Sequence, residues 1–441
     1  MSGVNVKRLK GLSAAQRAEL VKRSETDLNS FLEKVQPIID AVRIEGDAAL
    51  VRFGRELDKA TSLTRETLKA SEAEFDEAFH HVDQTVIDAI RFGIENIRTF
   101  HEEQRPEAMW LKEIRPGAFA GDRYLPIDSV ALYVPRGKGS FPSVTMMTSV
   151  PGVVAGVPNL AIVTPPGPDG KVDAATLVAA RLAGVETVYK VGGAQAVAAV
   201  AFGTETVRKA HKIVGPGSPW VVAAKRLLAG VIDPGLPAGP SECVVLADST
   251  IHGGLAAMDL LIEAEHGPDS SAWLVTDSER VVEEALAALP DLWAQMDEKR
   301  VEFSRTVLSG KSGGIILAES MADACAFVNE YAPEHLEILS TKPFEYLGEI
   351  TEASEILMGP HTPVSIGNFA LGPNAVLPTS KGANTYGPLS VSDFIRRSSI
   401  GYVTAKGYPL MAASAKVLAE YEGFSAHANA VSALRQQYLD V

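Results

Sequence analysis

Residues 188–200 read VYKVGGAQAVAAV, and their order decides the fold. A β-branched and aromatic run reaches Gly192 and Gly193 and passes into a helix of small residues with Gln195 near its start. The succession recurs in KIVGPGSPWVVAAKR, residues 212–226, where Gly215 and Gly217 make the turn and Ser218 stands beside it. Further out, SVALYVP (129–135), LAIVTPP (160–166), CVVLAD (243–248), AWLVTD (272–277) and GIILAE (314–319) are short β-rich runs closed by Gly, Pro or acidic residues. Helical runs alternate with them: AATLVAARLAG (174–184), GLAAMDLLIEAEH (254–266), SERVVEEALAAL (278–289) and MADACAFVNEY (321–331). Strand, loop and helix in repetition predict parallel α/β layers. Residues 12–105 read as helical, as in AAQRAELVKRS (14–24) and DQTVIDAIRFGIENIRTFHEEQ (83–104), and after about Gly387 the chain again ends in helices.

At 441 residues the chain exceeds one comfortable core, so two or more domains are expected. A net charge of −14 argues against nucleic acid and anionic membranes as partners, while leaving room for a small anionic substrate in a local cationic pocket. No window is long and apolar enough to span a bilayer, and MSGVNVKRLKGL lacks the apolar centre of a secretory signal. Cys243 and Cys325 sit in apolar runs and read as buried, reduced thiols of a cytoplasmic protein.

No GxGxxG follows the first strand, so the usual dinucleotide fingerprint is absent. The two glycine turns still let a backbone approach a pyrophosphate at a helix N-terminus. Tight αβ packing without a ligand is the alternative reading. Tyr133 ends another strand; it either stacks on a ring or belongs to the core.

Glu263 and His266 stand three apart at the end of a helical run, on one face, where both reach one cation. Alone, such a pair is more often a surface ion pair. Glu334 and His335 follow the helix-breaking Pro333, which predicts a loop or first turn there. Asn368 and Asn374 lie in a Gly/Pro-rich loop, and His427 in a C-terminal helix. None of these residues is decisive by itself.

Their combination is. GPSE (239–242), EAEHGPD (263–269), YAPEHLE (331–337), GPHTPVSIGNFALGPNAVLPT (359–379) and EGFSAHANAV (422–431) occur in order, with YVPRG (133–137), VGGAQA (191–196) and GPGSPWV (215–221) before them. Together they make the chain resemble the histidinol dehydrogenase family along nearly its whole length. The resemblance implies fold class α/β, with two Rossmann-like parallel-sheet domains and small helical N-terminal and C-terminal segments. It implies an N-terminal segment over 1–30, a discontinuous domain over 31–133 and 241–389 with the metal and catalytic residues, an NAD-binding domain over 134–240, and a segment over 390–441 that completes the partner subunit's site in a homodimer. The implied activity is a Zn2+- and NAD-dependent oxidation of a primary alcohol through the aldehyde to a carboxylate. Matched motif by motif, Tyr133, Gln195 and Ser218 contact NAD; Glu263, His266, Asn368 and His427 hold zinc; Glu334 and His335 are the catalytic pair; Ser241 and Glu422 contact substrate.

The sequence departs from the family pattern around the substrate. Glutamine is usual where Glu263 stands and aspartate where Asn368 stands, so carboxylate and amide have exchanged places. Asn374-Ala375-Val376 replaces a run containing a substrate-contacting histidine, and Ser218 replaces an asparagine. The variant pattern resembles the branch of the family that oxidises (R)-2,3-dihydroxypropane-1-sulfonate to (R)-3-sulfolactate, a small anionic diol. A sulfonate needs charge-assisted donors, for which Lys381, His361, Arg136 and Lys406 are candidates, with Asn374 beside the substrate. L-Histidinol itself, another polyol or amino alcohol, and a zinc-stabilised scaffold without catalysis are the rival expectations.

Overall fold

A computed structural model describes residues 3–23, 28–136 and 139–439, apart from the Asn29 side chain. Ser24 and Gly137, each the last residue of a run quoted above, lie outside the described residues. In chain order the strands are β1 (Val6–Arg8), β2 (Met109–Arg115), β3 (Ala118–Pro126), β4 (Ser129–Tyr133), β5 (Asn159–Val163), β6 (Val188–Tyr189), β7 (Lys212–Val214), β8 (Glu242–Ala247), β9 (Ser271–Thr276), β10 (Gly313–Leu317), β11 (His335–Leu339), β12 (Glu355–Met358) and β13 (Ile395–Val403).

The chain forms two compact units. The first, residues 1–104 and 127–394, contains both parallel sheets. Among the described residues one sheet has six strands in the order β1-β10-β9-β8-β11-β12, and the other has four in the order β6-β5-β4-β7. Both are parallel because helices carry the chain back between strands. Side-chain alternation explains the layering of the larger sheet. Cys243, Val245 and Ala247 point into one core with the helices Gly253–Ala264 and Glu279–Trp293. Val244 and Leu246 point into the opposite core with the helix Met321–Tyr331. Cys243 and Cys325 are both buried, free thiols.

The expected boundary after Tyr133 falls immediately beyond β4, which pairs with β5 and β7 inside the four-stranded sheet. The helices Leu28–Glu45 and Asp47–Glu56 likewise bury Val35, Ile39, Val42 and Leu50 against Ala131, Tyr133 and Val163 of that sheet. The second unit, residues 105–126 and 395–441, holds an antiparallel sheet in the order β13-β3-β2 followed by the helices Tyr408–Tyr421, Ser425–Ala430 and Ala433–Gln436. The C-terminal segment is thus not purely helical. IRRSSIGYV has no apolar alternation and mostly faces outward, which hid β13 from a reading based on hydrophobic period. No helix among the described residues is long and apolar enough to cross a membrane.

Candidate active site

The glycine turns act first as packing devices. Gly215 has φ 110° and leaves no room for a side chain, since a Cβ would lie 2.2 Å from the Tyr133 carbonyl oxygen. Tyr133 is buried in the core, and its hydroxyl accepts from the Gly193 N–H at 3.0 Å. Burial pushes that phenol up to about 12. Gln195 is buried in the first turn of the helix Gly193–Phe202, and exposed Ser218 precedes the helix Pro219–Leu227 with its hydroxyl unused for capping. Tyr133 is the last residue of β4, and Gln195 and Ser218 follow β6 and β7, so all three stand at the carboxyl edge where open α/β sheets bind nucleotides. In the second turn, buried Lys225 donates to the Gly215 carbonyl at 2.8 Å, and burial lowers its ammonium to about 8.

The chemistry-bearing residues lie at the opposite, amino-terminal edge of the six-stranded sheet. A cavity of about 240 Å³ is lined there by Ser241, Glu263, His266, Glu334, His335 and Asn368, with Phe141, Met147, Ala375 and Val376 supplying apolar wall. Glu334 lies in the short loop after the helix, as expected, but His335 does not: it is the first residue of β11. The helix Met321–Tyr331 ends with Ala332 at φ 51°, Pro333 stops it, and His335 at once enters β11 between β8 and β12. Pairing on both sides fixes His335 more firmly than a loop would.

Glu334 is buried, and its Oε2 accepts from the Glu242 N–H at 2.8 Å. Burial raises its carboxyl well above the ordinary range. Its Oε1 stands 3.9 Å from His335 Nε2. On the other side of the ring, His335 Nδ1 lies 2.7 Å from Glu355 Oε2. Burial opposes the charged imidazole, yet the Glu355 bond and the charges of Glu334 and Glu263 outweigh it, raising His335 to about 10. Glu263 is fully buried; burial would raise it, but the facing His266 ring and others hold it down at about 2.

Glu263 Oε2 is 3.0 Å from His266 Nδ1, and Asn368 Nδ2 donates to Glu263 Oε1 at 3.2 Å. Ser241 Oγ is also 3.0 Å from His266 Nδ1. Among the described residues no group of three His, Cys, Asp or Glu forms a cation cluster. The donor set fits Zn2+ only with the Asn368 amide counted as an oxygen ligand, which a half-turn of the carboxamide allows. So counted, one carboxylate, one imidazole and one amide converge, one short of the usual four protein ligands of a closed site.

The other expected site residues are placed as follows. His427 and Glu422 belong to the second unit, both exposed, at the helix Ser425–Ala430 and just past the helix Tyr408–Tyr421. Asn374 does not line the cavity: it is buried, its amide donates to the Met147 carbonyl at 2.7 Å, and its oxygen accepts from the Val376 N–H at 2.9 Å. With both ends of the amide engaged and the side chain buried outside the lining, it props the loop. Lys381 is exposed, in left-handed conformation, and outside the lining; His361 is exposed; Arg136 donates to the Lys171 carbonyl; Lys406 lies in the second unit. Among the described residues the cavity lining contains no lysine or arginine. Residues the motifs did not single out complete the site: Glu355 at the head of β12, and Arg23, whose buried guanidinium donates to Glu242 at 2.8 Å. A carboxylate opening the apolar run EILM was the available signal for Glu355.

The histidinol dehydrogenase family model matches residues 21–435. A histidinol dehydrogenase homolog of Cereibacter sphaeroides is 74% identical over 439 residues, covering 100% of both chains. A histidinol dehydrogenase of Synechocystis sp. is 46% identical, covering 96% of this chain and 97% of the relative. The crystal structure of histidinol dehydrogenase from Elizabethkingia anophelis superposes with a TM-score of 0.93 at 31% identity over 100% of both chains. The fold and site define an NAD-dependent oxidoreductase. The chain belongs to the histidinol dehydrogenase family, whose members use NAD and Zn2+ and are homodimers.

Proposed function

We propose that the chain oxidises a small primary alcohol through its aldehyde to the carboxylate, with (R)-2,3-dihydroxypropane-1-sulfonate as substrate and (R)-3-sulfolactate as product. One alcohol and one water would yield one carboxylate, two NADH and three protons. The observation that carries the reaction type is the 3.9 Å separation of Glu334 Oε1 and His335 Nε2 across one cavity wall. Two proton acceptors so spaced can contact the same oxygen, first of the alcohol and later of the attacking water. His335 would take the hydroxyl proton in each oxidation; Glu334 would take a proton from water between them. Glu263, His266 and Asn368 would hold Zn2+, with His427 of a second subunit, and the bound ion would polarise the substrate oxygen while NAD accepts hydride. Such a cation would also offset the carboxylates that keep His335 protonated and favour the ionised form of Glu334 against its burial, leaving both able to act as bases. Ser241 would meet the substrate, and Tyr133, Gln195 and Ser218 would line the nucleotide's path.

The substrate reading rests on Ala375, which lines the cavity where the family pattern has histidine. A wall lacking that imidazole suits a short, hydroxylated molecule. L-Histidinol is the second reading, favoured by the Synechocystis relative and by the cavity lining without lysine or arginine among the described residues. Under the sulfonate reading, cationic donors must come from outside that lining, among Lys381, His361, Arg136 and Lys406. Following NADH absorbance with the sulfonate diol and with L-histidinol in parallel separates the two. Turnover of the diol alone is expected; turnover of L-histidinol alone replaces the first reading with the second.

A further inference from the structure

We infer that Glu355 is the positioning residue for His335: it holds the imidazole in a single tautomer, with Nδ1–H toward the Glu355 carboxylate and the Nε2 lone pair toward Glu334 and the cavity. The inference rests on the proposal that His335 is the base. His335 and Glu355 are register partners on the adjacent parallel strands β11 and β12, so their side chains leave the same face of the sheet side by side. The Glu355 N–H also donates to the Glu334 carbonyl at 3.1 Å, tying the carboxylate's backbone to the dipeptide it serves.

The carboxylate is buried, as is the ring. Oε2 receives Nδ1 at 2.7 Å, while Oε1 is buried without a hydrogen-bond partner among the described residues. A buried carboxylate left half-satisfied is costly, and its one strong bond is to this histidine. Position 367 is glycine, where a Cβ would lie 3.1 Å from Oε1, so no side chain there crowds the carboxylate out of its place. An ionised carboxylate can only accept, which obliges Nδ1 to carry the proton. Nε2 of the neutral ring is then the acceptor, directed to the side where Glu334 Oε1 also lies. In the oxidation, Nε2 takes the alcohol proton as hydride leaves carbon for NAD, giving aldehyde, NADH and an imidazolium that Glu355 stabilises.

The test uses the zinc-loaded enzyme and whichever of the two alcohols the parent oxidises. Glu355→Leu, which removes the acceptor, should lower kcat at least about 10-fold with KM changed less than about twofold. Glu355→Gln, which keeps an acceptor oxygen but no charge, should recover part of that loss and move the acidic limb of the pH–rate profile to lower pH. In histidine-labelled protein, ¹⁵N spectra of the neutral ring should show the His335 proton on Nδ1 in the parent and divided between the nitrogens in Glu355→Leu. Parental kcat in both variants, or an unchanged tautomer in Glu355→Leu, overturns the inference. His335→Asn serves as the reference. If it retains parental kcat, the base assignment itself falls; if it is inactive while both Glu355 variants match the parent, only the role of Glu355 is lost.

Discussion

At the scale of single residues, burial sets the character of each acid and base. Replacing the proposed base, His335→Asn, should reduce kcat by about 10²–10⁴ while zinc content, read by metal analysis, stays at the parental level. Loss of zinc in that variant would place His335 among the ligands instead. Glu334→Gln should slow the aldehyde step more than the alcohol step when each is supplied separately. Glu337, fully buried on β11, offers a cleaner electrostatic test. Burial and the nearby Asp259 carboxyl hold it protonated well above its ordinary range. The unfolded chain releases this proton near pH 4.3 and the folded chain only far higher, so in that window the folded state binds more protons and stability falls as pH rises. Glu337→Gln should therefore melt at or above the parental temperature, with an advantage that grows from pH 6 to pH 8. An advantage that shrank over this range would show that Glu337 is ionised in the folded protein.

At the scale of elements, the glycine turns and the strand heads decide where groups can stand. Gly215→Ala puts a Cβ 2.2 Å from the Tyr133 carbonyl and requires φ 110° of an alanine. It should raise the KM for NAD and cost on the order of 1–3 kcal/mol in a denaturant titration. Arg23→Ala leaves Glu242 buried without its cation, beside the N–H that holds Glu334; a loss of about 3 kcal/mol is expected. These elements also show how far the sequence could be read. The parallel layers were legible in VYKVGGAQAVAAV and KIVGPGSPWVVAAKR because strand, glycine turn and small-residue helix are local patterns. The Glu263–His266 pair was legible because helical spacing is local as well. Glu355 was not, since its value depends on the register of β12 against β11, which no short-range pattern encodes. Asn374 misled for the converse reason: a motif position says nothing of the Met147 carbonyl that occupies its amide.

At the scale of the molecule, the proposed metal set is divided between units. Glu263, His266 and Asn368 lie in the first, and His427 in the second. If each site borrows His427 from the partner, a mixture of inactive His335→Asn and His427→Ala chains, co-expressed, should regain activity through dimers holding one intact site. No recovery would mean that each chain completes its own. Above all, one cavity is proposed to carry out two successive oxidations. The most direct measurement of this is the NADH formed per alcohol consumed, with a limiting amount of the alcohol the enzyme accepts and excess NAD. Two NADH and a carboxylate product are predicted; one NADH with the aldehyde released as end product would contradict it.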